Sequence, residues 1–123
     1  MDVRMDGRNA IVTGGSLGLG KAIAAEYARS GANVAIVARR QGPLDDARAE
    51  IEQAGAGKVV AIAADIRRAD DCARVVAEAQ AALGPIDILV NNAGTSQRGP
   101  FPEVSDEPWQ AHLDLKLDRK TGV

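Results

Sequence analysis

Glycines at positions 14, 18 and 20 stand between a short apolar run and a stretch of helix-forming residues. A residue without a Cβ lets the backbone approach a ligand closely and adopt conformations that other residues avoid. The helix that follows is predicted over residues 21–30, and it directs unpaired N–H groups and the positive end of its dipole at the turn. Such a turn binds anions, which in α/β chains are usually phosphate or pyrophosphate groups. The sequence therefore predicts nucleotide binding.

The glycine turn alone allows three interpretations. It could be a tight turn that only lets a strand and a helix pack together. It could also be the phosphate loop of an NTPase, because Gly15, Gly20 and Lys21 fit Gly-x4-Gly-Lys, but Ala22 stands where that loop needs a hydroxyl to hold Mg²⁺. The third interpretation is a dinucleotide site with the spacing Thr-Gly-x3-Gly-x-Gly, which begins at Thr13.

Apolar runs alternate with helical stretches along the rest of the chain. The apolar runs are residues 9–13, 33–38, 58–64 and 86–91. After the first helix, a second is predicted over residues 44–53. A third is capped by Asp70 or Asp71 and ends near residue 83, and a fourth starts near Trp109. The runs lack polar alternation, so both faces of each strand are expected to be buried. Strands of this kind, separated by helices, predict an α/β domain with a parallel sheet and right-handed crossovers.

Composition excludes several classes of protein. The 123 residues are 46% apolar and carry a formal net charge of −2, which predicts one globular domain and argues against nucleic-acid binding or an anionic membrane surface. The only cysteine is Cys72, no apolar run reaches membrane-spanning length, and the only histidine, His112, has no partners at metal-ligand spacing. We therefore expect a cytoplasmic protein without a metal site, a nucleic-acid partner or a membrane anchor.

Two motifs together indicate a resemblance to a known protein family. The run Thr13 to Gly20, with the sequence Asp-Ile-Leu-Val-Asn-Asn-Ala-Gly at positions 87–94, resembles the short-chain dehydrogenase/reductase family over residues 6 to about 117. The resemblance implies a Rossmann-like, doubly wound parallel sheet, incomplete here with about four strands in the order 3-2-1-4 and flanking helices. It also implies that residues 1–123 are the N-terminal part of an NAD(P)-binding domain. The family moves hydride between a nicotinamide dinucleotide and a small alcohol or carbonyl substrate.

The resemblance assigns roles to the glycine turn and to the loops after the strands. The backbone of Ser16, Leu17 and Leu19 would border the pyrophosphate and the adenosine ribose, with close approach at Gly14 and Gly18. The full set of implied cofactor-binding residues is Gly14, Ser16, Leu17, Gly18, Leu19, Gly20, Arg39, Asp65, Ile66, Asn92, Ala93 and Gly94.

The end of the second strand indicates which coenzyme is preferred. In this family an acidic residue there would bind the adenosine 2′-hydroxyl, but this chain has Ala38 followed by Arg39 and Arg40. A guanidinium group matches the geometry of a phosphate, and no carboxylate would repel it. The resemblance therefore favours NADP over NAD.

Other site residues follow from the same resemblance. Asp65 follows the third strand, where the family has a carboxylate or amide that binds the adenine amino group, and Ile66 would add a backbone contact. The alternative for Asp65 is a turn or helix-capping role. The segment Asn92, Ala93 and Gly94 would pass beneath the cofactor ribose, whereas Asn91 is expected to brace neighbouring strands.

The catalytic groups of the family, a Ser and a Tyr-x3-Lys, belong to its second half and are not expected in this chain. The family also has an active-site Asn on its fourth helix. The corresponding position in this chain is Lys116, or Asp114 if the alignment shifts by two residues. The polar run 118–123 suggests a truncated or frame-shifted product, or a fragment. The fourth strand would then be an unshielded apolar edge of the sheet, which favours self-association or a homo-oligomer. The function expected is an NADP-preferring oxidoreductase, and the alternative is a non-catalytic dinucleotide-binding module or an inactive fragment.

Overall fold

The computed structural model describes residues 6–14, 18–55 and 57–92 of the chain, and within these ranges strands and helices alternate. The elements are β1 (Asn9–Thr13), α1 (Gly18–Arg29), β2 (Asn33–Ala38), α2 (Gln41–Ala54), β3 (Val59–Ala63), α3 (Ala69–Leu83) and β4 (Ile88–Asn91). This order confirms the alternation that the apolar runs predict. The fourth helix predicted near Trp109 lies outside the described residues.

The four strands form one parallel sheet in the order β3-β2-β1-β4. In the centre of the sheet, Ile11 of β1 lies opposite Ala35 of β2 and Leu89 of β4. Helix α1 connects β1 to β2 and α2 connects β2 to β3, because parallel strands need a crossover connection. The predicted strand order and the Rossmann-like α/β class are confirmed.

Side chains that alternate along the strands feed two separate apolar clusters. Ile11 belongs to a cluster that includes Val75 and other residues of α3, whereas Val12 belongs to one that includes Ala24 of α1 and Leu44 of α2. Both β1 residues are fully buried. Helix α3 therefore covers one face of the sheet and helices α1 and α2 cover the other, which is why the strands are apolar on both sides.

Polar side chains close the edge of the sheet at which the strands begin. The Asn33 Nδ2 group donates to Asn9 Oδ1 (2.9 Å), and Asn9 Nδ2 donates to the Pro85 carbonyl (2.8 Å). The Lys58 N–H group donates to Asn33 Oδ1 (2.9 Å). Asn9 is only 6% exposed. These bonds join the starts of all four strands and satisfy polar groups that would be costly to bury alone.

Three helix starts differ from the sequence-based expectation, and the end of α1 agrees with it. Helix α2 begins at Gln41, three residues before the predicted start. Helix α1 begins at Gly18, three residues before the predicted start, and it is followed by Gly31 in the predicted left-handed conformation (φ +99°). The prediction that Asp70 or Asp71 caps α3 is wrong, because Arg68 occupies the cap position and makes no side-chain capping bond. Both aspartates lie inside the first turn, where a carboxylate still interacts favourably with the helix dipole.

Candidate functional site

The carboxyl ends of the strands meet at one edge of the sheet. Thr13, which ends β1, pairs with Asn91 at the end of β4, and Ala38, which ends β2, pairs with Ala63 at the end of β3. The chain leaves β1 towards β2 on one side, and β4 lies on the other side, so the strand order reverses between β1 and β4. In open α/β sheets, ligands bind outside the carboxyl ends at such a switch point.

Two of the glycines after β1 have backbone conformations that other residues rarely adopt. Gly14 has φ +70° and Gly18 has φ +56°. The Gly14 N–H group donates to the Val37 carbonyl (2.7 Å), which continues the β1–β2 pairing by one residue. At Gly18, none of the described atoms lies within 4 Å of where a Cβ would stand. Among the residues that the structure describes, the space beside Gly18 is therefore open, as a ligand-facing turn requires.

Gly20 is a glycine for a different reason. A Cβ at this position would lie 2.0 Å from the Gly14 carbonyl oxygen and 3.0 Å from Asn92 Nδ2. The missing side chain lets the first turn of α1 pack directly on the backbone of the glycine turn. The sequence predicts one shared role for the three glycines, and the structure gives Gly20 a packing role within the protein.

The start of α1 exposes an apolar side chain and carries no carboxylate. Leu19 is 66% exposed, and the first turn contains no acidic residue to neutralise the positive end of the helix dipole. Lys21 forms a salt bridge with Glu50 of α2, with Nζ and Oε1 2.8 Å apart. In a phosphate loop of an NTPase this lysine would face the phosphates, so the pairing argues against that interpretation.

Hydrogen bonds from Thr13 join the ends of β1 and β4. Thr13 Oγ1 accepts from the Asn92 N–H group (2.7 Å) and lies 3.1 Å from Asn91 Oδ1 and 3.3 Å from the Val90 carbonyl. Thr13 is fully buried, so these bonds fix where Asn92 leaves the sheet. Asn91 contacts the neighbouring strand, as expected, but within the described chain its buried Nδ2 has no hydrogen-bond partner. An unsatisfied buried donor of this kind calls for an explanation.

Two arginines follow β2 directly. Arg39 and Arg40 are exposed, and neither side chain has a hydrogen bond or an ion pair with any described residue. Ala38 ends the strand, so no carboxylate stands at this position. The end of β2 therefore presents two guanidinium groups that form no hydrogen bond or ion pair with the part of the chain that the structure describes.

Asp65 follows β3 and is held by an arginine two residues later. Arg67 donates from Nε to Oδ1 (3.0 Å) and from Nη2 to Oδ2 (2.9 Å), and its N–H group also donates to Oδ1 (3.0 Å). These hydrogen bonds from Arg67, with a smaller electrostatic contribution from Arg39, lower the pKa of Asp65 to about 2. The carboxylate is therefore ionised at neutral pH.

The first turn of α3 fixes the loop that carries Asp65. The Asp65 N–H group donates to Asp71 Oδ2 (2.8 Å), and the Arg68 N–H group donates to the Asp65 carbonyl (3.0 Å). The Cys72 thiol donates to the Ile66 carbonyl (3.2 Å), and burial raises the pKa of this thiol. Sequence reasoning missed Arg67 and Asp71, although an Asp-x-Arg spacing and a carboxylate in the first helical turn are visible signals.

Part of the predicted site cannot be compared with the structure. Ser16, Leu17, Ala93, Gly94 and Lys116 lie outside the described residues. Across the ranges that the structure covers, no group of three or more His, Cys, Asp and Glu side chains could hold a metal ion, and no helix is long and apolar enough to cross a membrane. The remaining predicted residues that are described, from Gly14 to Asn92, all follow β1, β3 or β4 or the end of β2.

Comparison with known proteins identifies the family. The family model described as short chain dehydrogenase matches residues 8–118. A short chain dehydrogenase from Pseudocercospora fijiensis is 43% identical over 137 residues, which cover 98% of this chain and 44% of the relative. An 11-beta-hydroxysteroid dehydrogenase from Pinus massoniana is 41% identical over 109 residues, which cover 89% of this chain and 31% of the relative.

Solved structures agree with this match. L-sorbose reductase from Gluconobacter frateurii, crystallised with NADPH and L-sorbose, has a TM-score of 0.74 at 36% identity, and the match covers 89% of this chain and 42% of that protein. The chain thus spans less than half the length of each of these relatives. Because the family model matches residues 8–118, the chain belongs to the short-chain dehydrogenase/reductase family.

Proposed function

We propose that this chain is the coenzyme-binding part of an oxidoreductase that prefers NADP and transfers hydride to or from a small alcohol or carbonyl substrate. The observation that carries the preference is the pair of exposed guanidinium groups directly after β2, which have no hydrogen bond or ion pair with the described residues and stand where no carboxylate does. The similar L-sorbose reductase was crystallised with NADPH. Membership of a family of oxidoreductases supports the reaction class.

The glycine turn fits the pyrophosphate of such a coenzyme. Gly18 borders open space at the start of α1, and the first turn of this helix carries no carboxylate. Backbone N–H groups and the positive end of the dipole at a helix start attract phosphate oxygens. We assign the pyrophosphate to the backbone of Ser16, Leu17 and Leu19, with Gly14 and Gly18 permitting the turn and Gly20 holding the helix against it.

The residues after β2 and β3 fit the adenosine end. Arg39 would bind the 2′-phosphate through charge-assisted hydrogen bonds. Asp65 is ionised and its Oδ2 accepts one described hydrogen bond, so a further lone pair remains for the adenine amino group. Ile66 would offer a backbone group beside it. This arrangement assigns Asp65 a binding role in addition to its ion pair with Arg67.

The end of β4 fits the nicotinamide half. Asn92, Ala93 and Gly94 would pass beneath the adjoining ribose, and Thr13 fixes the start of this segment. The buried, unpartnered Nδ2 of Asn91 lies beside this segment in the chain and suits a polar partner there. The coenzyme, when bound, supplies or accepts the hydride. We place Lys116 at the family's active-site Asn position.

Coenzyme binding by the 123-residue chain tests the proposal. Isothermal titration with NADPH and NADH is expected to show tighter binding of NADPH. Arg39→Asp removes charge-assisted hydrogen bonds worth about 1.5 to 3 kcal/mol and adds repulsion, so NADPH affinity should fall at least about tenfold. NADH, which lacks the 2′-phosphate, should be affected much less.

Arg48→Asp is the control, because Arg48 is an exposed arginine on α2, paired with Glu52, and the substitution makes the same change in charge. It should leave both affinities unchanged. Equal loss of NADPH and NADH in Arg39→Asp would disprove the 2′-phosphate assignment, and absence of binding to either coenzyme would disprove the function. Consumption of NADPH with a small carbonyl compound then separates an enzyme from a non-catalytic binding module.

A further inference from the structure

Arg39 and Asp65 leave adjacent strands at the same edge of the sheet. Ala38 pairs with Ala63, and the Ala64 N–H group donates to the Ala38 carbonyl (2.8 Å), so the two strands are still joined one residue before Asp65. Arg39 follows this joint on one strand and Asp65 follows it on the other. The cation proposed for the coenzyme phosphate therefore lies next to a carboxylate that could pair with it.

Arg67 already occupies that carboxylate. Asp65 receives two hydrogen bonds from the Arg67 side chain and one from its N–H group. A carboxylate offers about four lone-pair positions, so three are taken. Arg39, in contrast, has no hydrogen bond or ion pair with a described residue. Of two arginines near one carboxylate, only Arg67 is paired with it.

We propose that Arg67 is a positioning residue for coenzyme selectivity: by occupying the Asp65 carboxylate, it leaves the Arg39 guanidinium available for the 2′-phosphate. The inference rests on the proposed function, in which Arg39 binds that phosphate. Without the Arg67 side chain, Asp65 would attract Arg39, and a 2′-phosphate would have to compete with an internal carboxylate for the same guanidinium.

Arg39 is the cation best placed to replace Arg67. Arg39 already contributes to the electrostatic stabilisation of the Asp65 carboxylate. Arg74 donates to the Ala63 carbonyl (2.8 Å) and to Glu78 Oε2 (3.1 Å), so it is engaged elsewhere. Arg39 thus interacts with this carboxylate and has no hydrogen bond or ion pair with the described residues, and it is also the arginine proposed for the coenzyme.

The loop does not depend on the Arg67 side chain for its position. Asp71 accepts from the Asp65 N–H group, the Arg68 N–H group donates to the Asp65 carbonyl, and Cys72 donates to the Ile66 carbonyl. None of these bonds uses the Arg67 guanidinium. Replacing Arg67 should therefore redistribute charge at the site while the backbone of the loop stays in place.

Binding of NADPH and NADH to Arg67→Gln tests the consequence for selectivity. The ratio of NADPH to NADH affinity is expected to fall about two- to fivefold, the range of an exposed ion pair. Arg68→Gln, which removes the same charge from the neighbouring position without releasing Asp65, should leave the ratio unchanged. Adding Asp65→Asn to Arg67→Gln should restore the ratio, because an amide keeps an acceptor for adenine but no longer attracts Arg39.

Two results would overturn the proposal. Equal losses of NADPH and NADH affinity in Arg67→Gln would show that Arg67 only supports the loop. Failure of Asp65→Asn to restore the ratio would show that Arg67 contacts the phosphate itself. Restoration in the double variant is the result that distinguishes competition for Arg39 from both alternatives.

A measurement without coenzyme separates this inference from the proposed function. NMR titration of the Asp65 carboxyl group should show that its pKa rises in Arg67→Gln and rises further when Arg39→Gln is added. No additional rise would overturn the inference even if the unaltered chain prefers NADPH. Equal affinity of the unaltered chain for NADPH and NADH would instead count against the proposed function, whatever the titration shows.

Discussion

The edges at which the strands begin and end differ in how their polar groups are hydrogen-bonded. At the edge where strands begin, the side chains of Asn9 and Asn33 bond to each other and to neighbouring backbone. At the edge where strands end, Asn91 Nδ2 is buried without a described partner, and Arg39 is exposed without one. Polar groups at the first edge hold the strands together, whereas Asn91 Nδ2 and the Arg39 side chain at the second have no partner among the described residues.

Glycines show the same contrast. At the edge where β3 begins, a Cβ on Gly55 would lie 2.1 Å from the Ala28 carbonyl oxygen, and one on Gly57 would lie 1.8 Å from the Ala32 carbonyl oxygen. These glycines permit close packing between parts of the chain. Gly18 at the opposite edge faces open space instead. Gly20, at the same edge as Gly18, packs on the Gly14 backbone, so the edge alone does not decide whether a glycine has a packing role.

Asn9→Ala provides the strongest test of the closed edge. It removes the hydrogen bonds that join Asn9 to the half-buried Asn33 side chain and to the Pro85 carbonyl, each worth about 0.5 to 1.5 kcal/mol. We expect the free energy of unfolding in urea to fall by about 1 to 3 kcal/mol, with no change in the ratio of NADPH to NADH affinity. Gln53→Ala, at an exposed position of α2, is the control and should change neither quantity. A changed ratio in Asn9→Ala would mean that the two edges are not independent.

Thr13→Val examines a group at the open edge that does have internal partners. The substitution keeps the shape but removes the acceptor of the Asn92 N–H group, so unfolding should become easier by about 1 to 2 kcal/mol. Affinity for NADPH and NADH should fall by the same factor, because Asn92 is assigned to the nicotinamide half. Thr13→Ser retains the hydroxyl and should restore binding in calorimetric titrations. A loss confined to NADPH would be inconsistent with that assignment.

The sequence predicts the fold more completely than the site because the two depend on different ranges of interaction. Runs such as residues 33–38 are apolar on both faces, and this local pattern is enough to predict buried parallel strands. The predicted start of α1 at residue 21 is three residues late because Gly18 and Gly20 have low helix propensity. The bond from the Asn92 N–H group to Thr13 Oγ1 joins residues 79 positions apart, so no local pattern predicts it. The bonds of Asp65 with Arg67 and Asp71 are local, and their spacing could have indicated them.

Loss of the ion pair between Asp65 and Arg67 is expected to have the smallest effect on the free energy of unfolding, and this effect should depend on pH. The pKa of Asp65 is about 2 in the folded chain against an ordinary value of 3.8, so the folded state favours the ionised carboxylate. A lowered pKa contributes stability above the unfolded value, and this contribution is lost as pH falls through the folded value. Asp65→Asn should therefore be less stable than the unaltered chain at neutral pH, and this difference should shrink as pH falls from 4 towards 2. Urea unfolding of both chains across this range checks the prediction. A difference that stays constant with pH would show that Asp65 stabilises the loop through its shape and not through its charge.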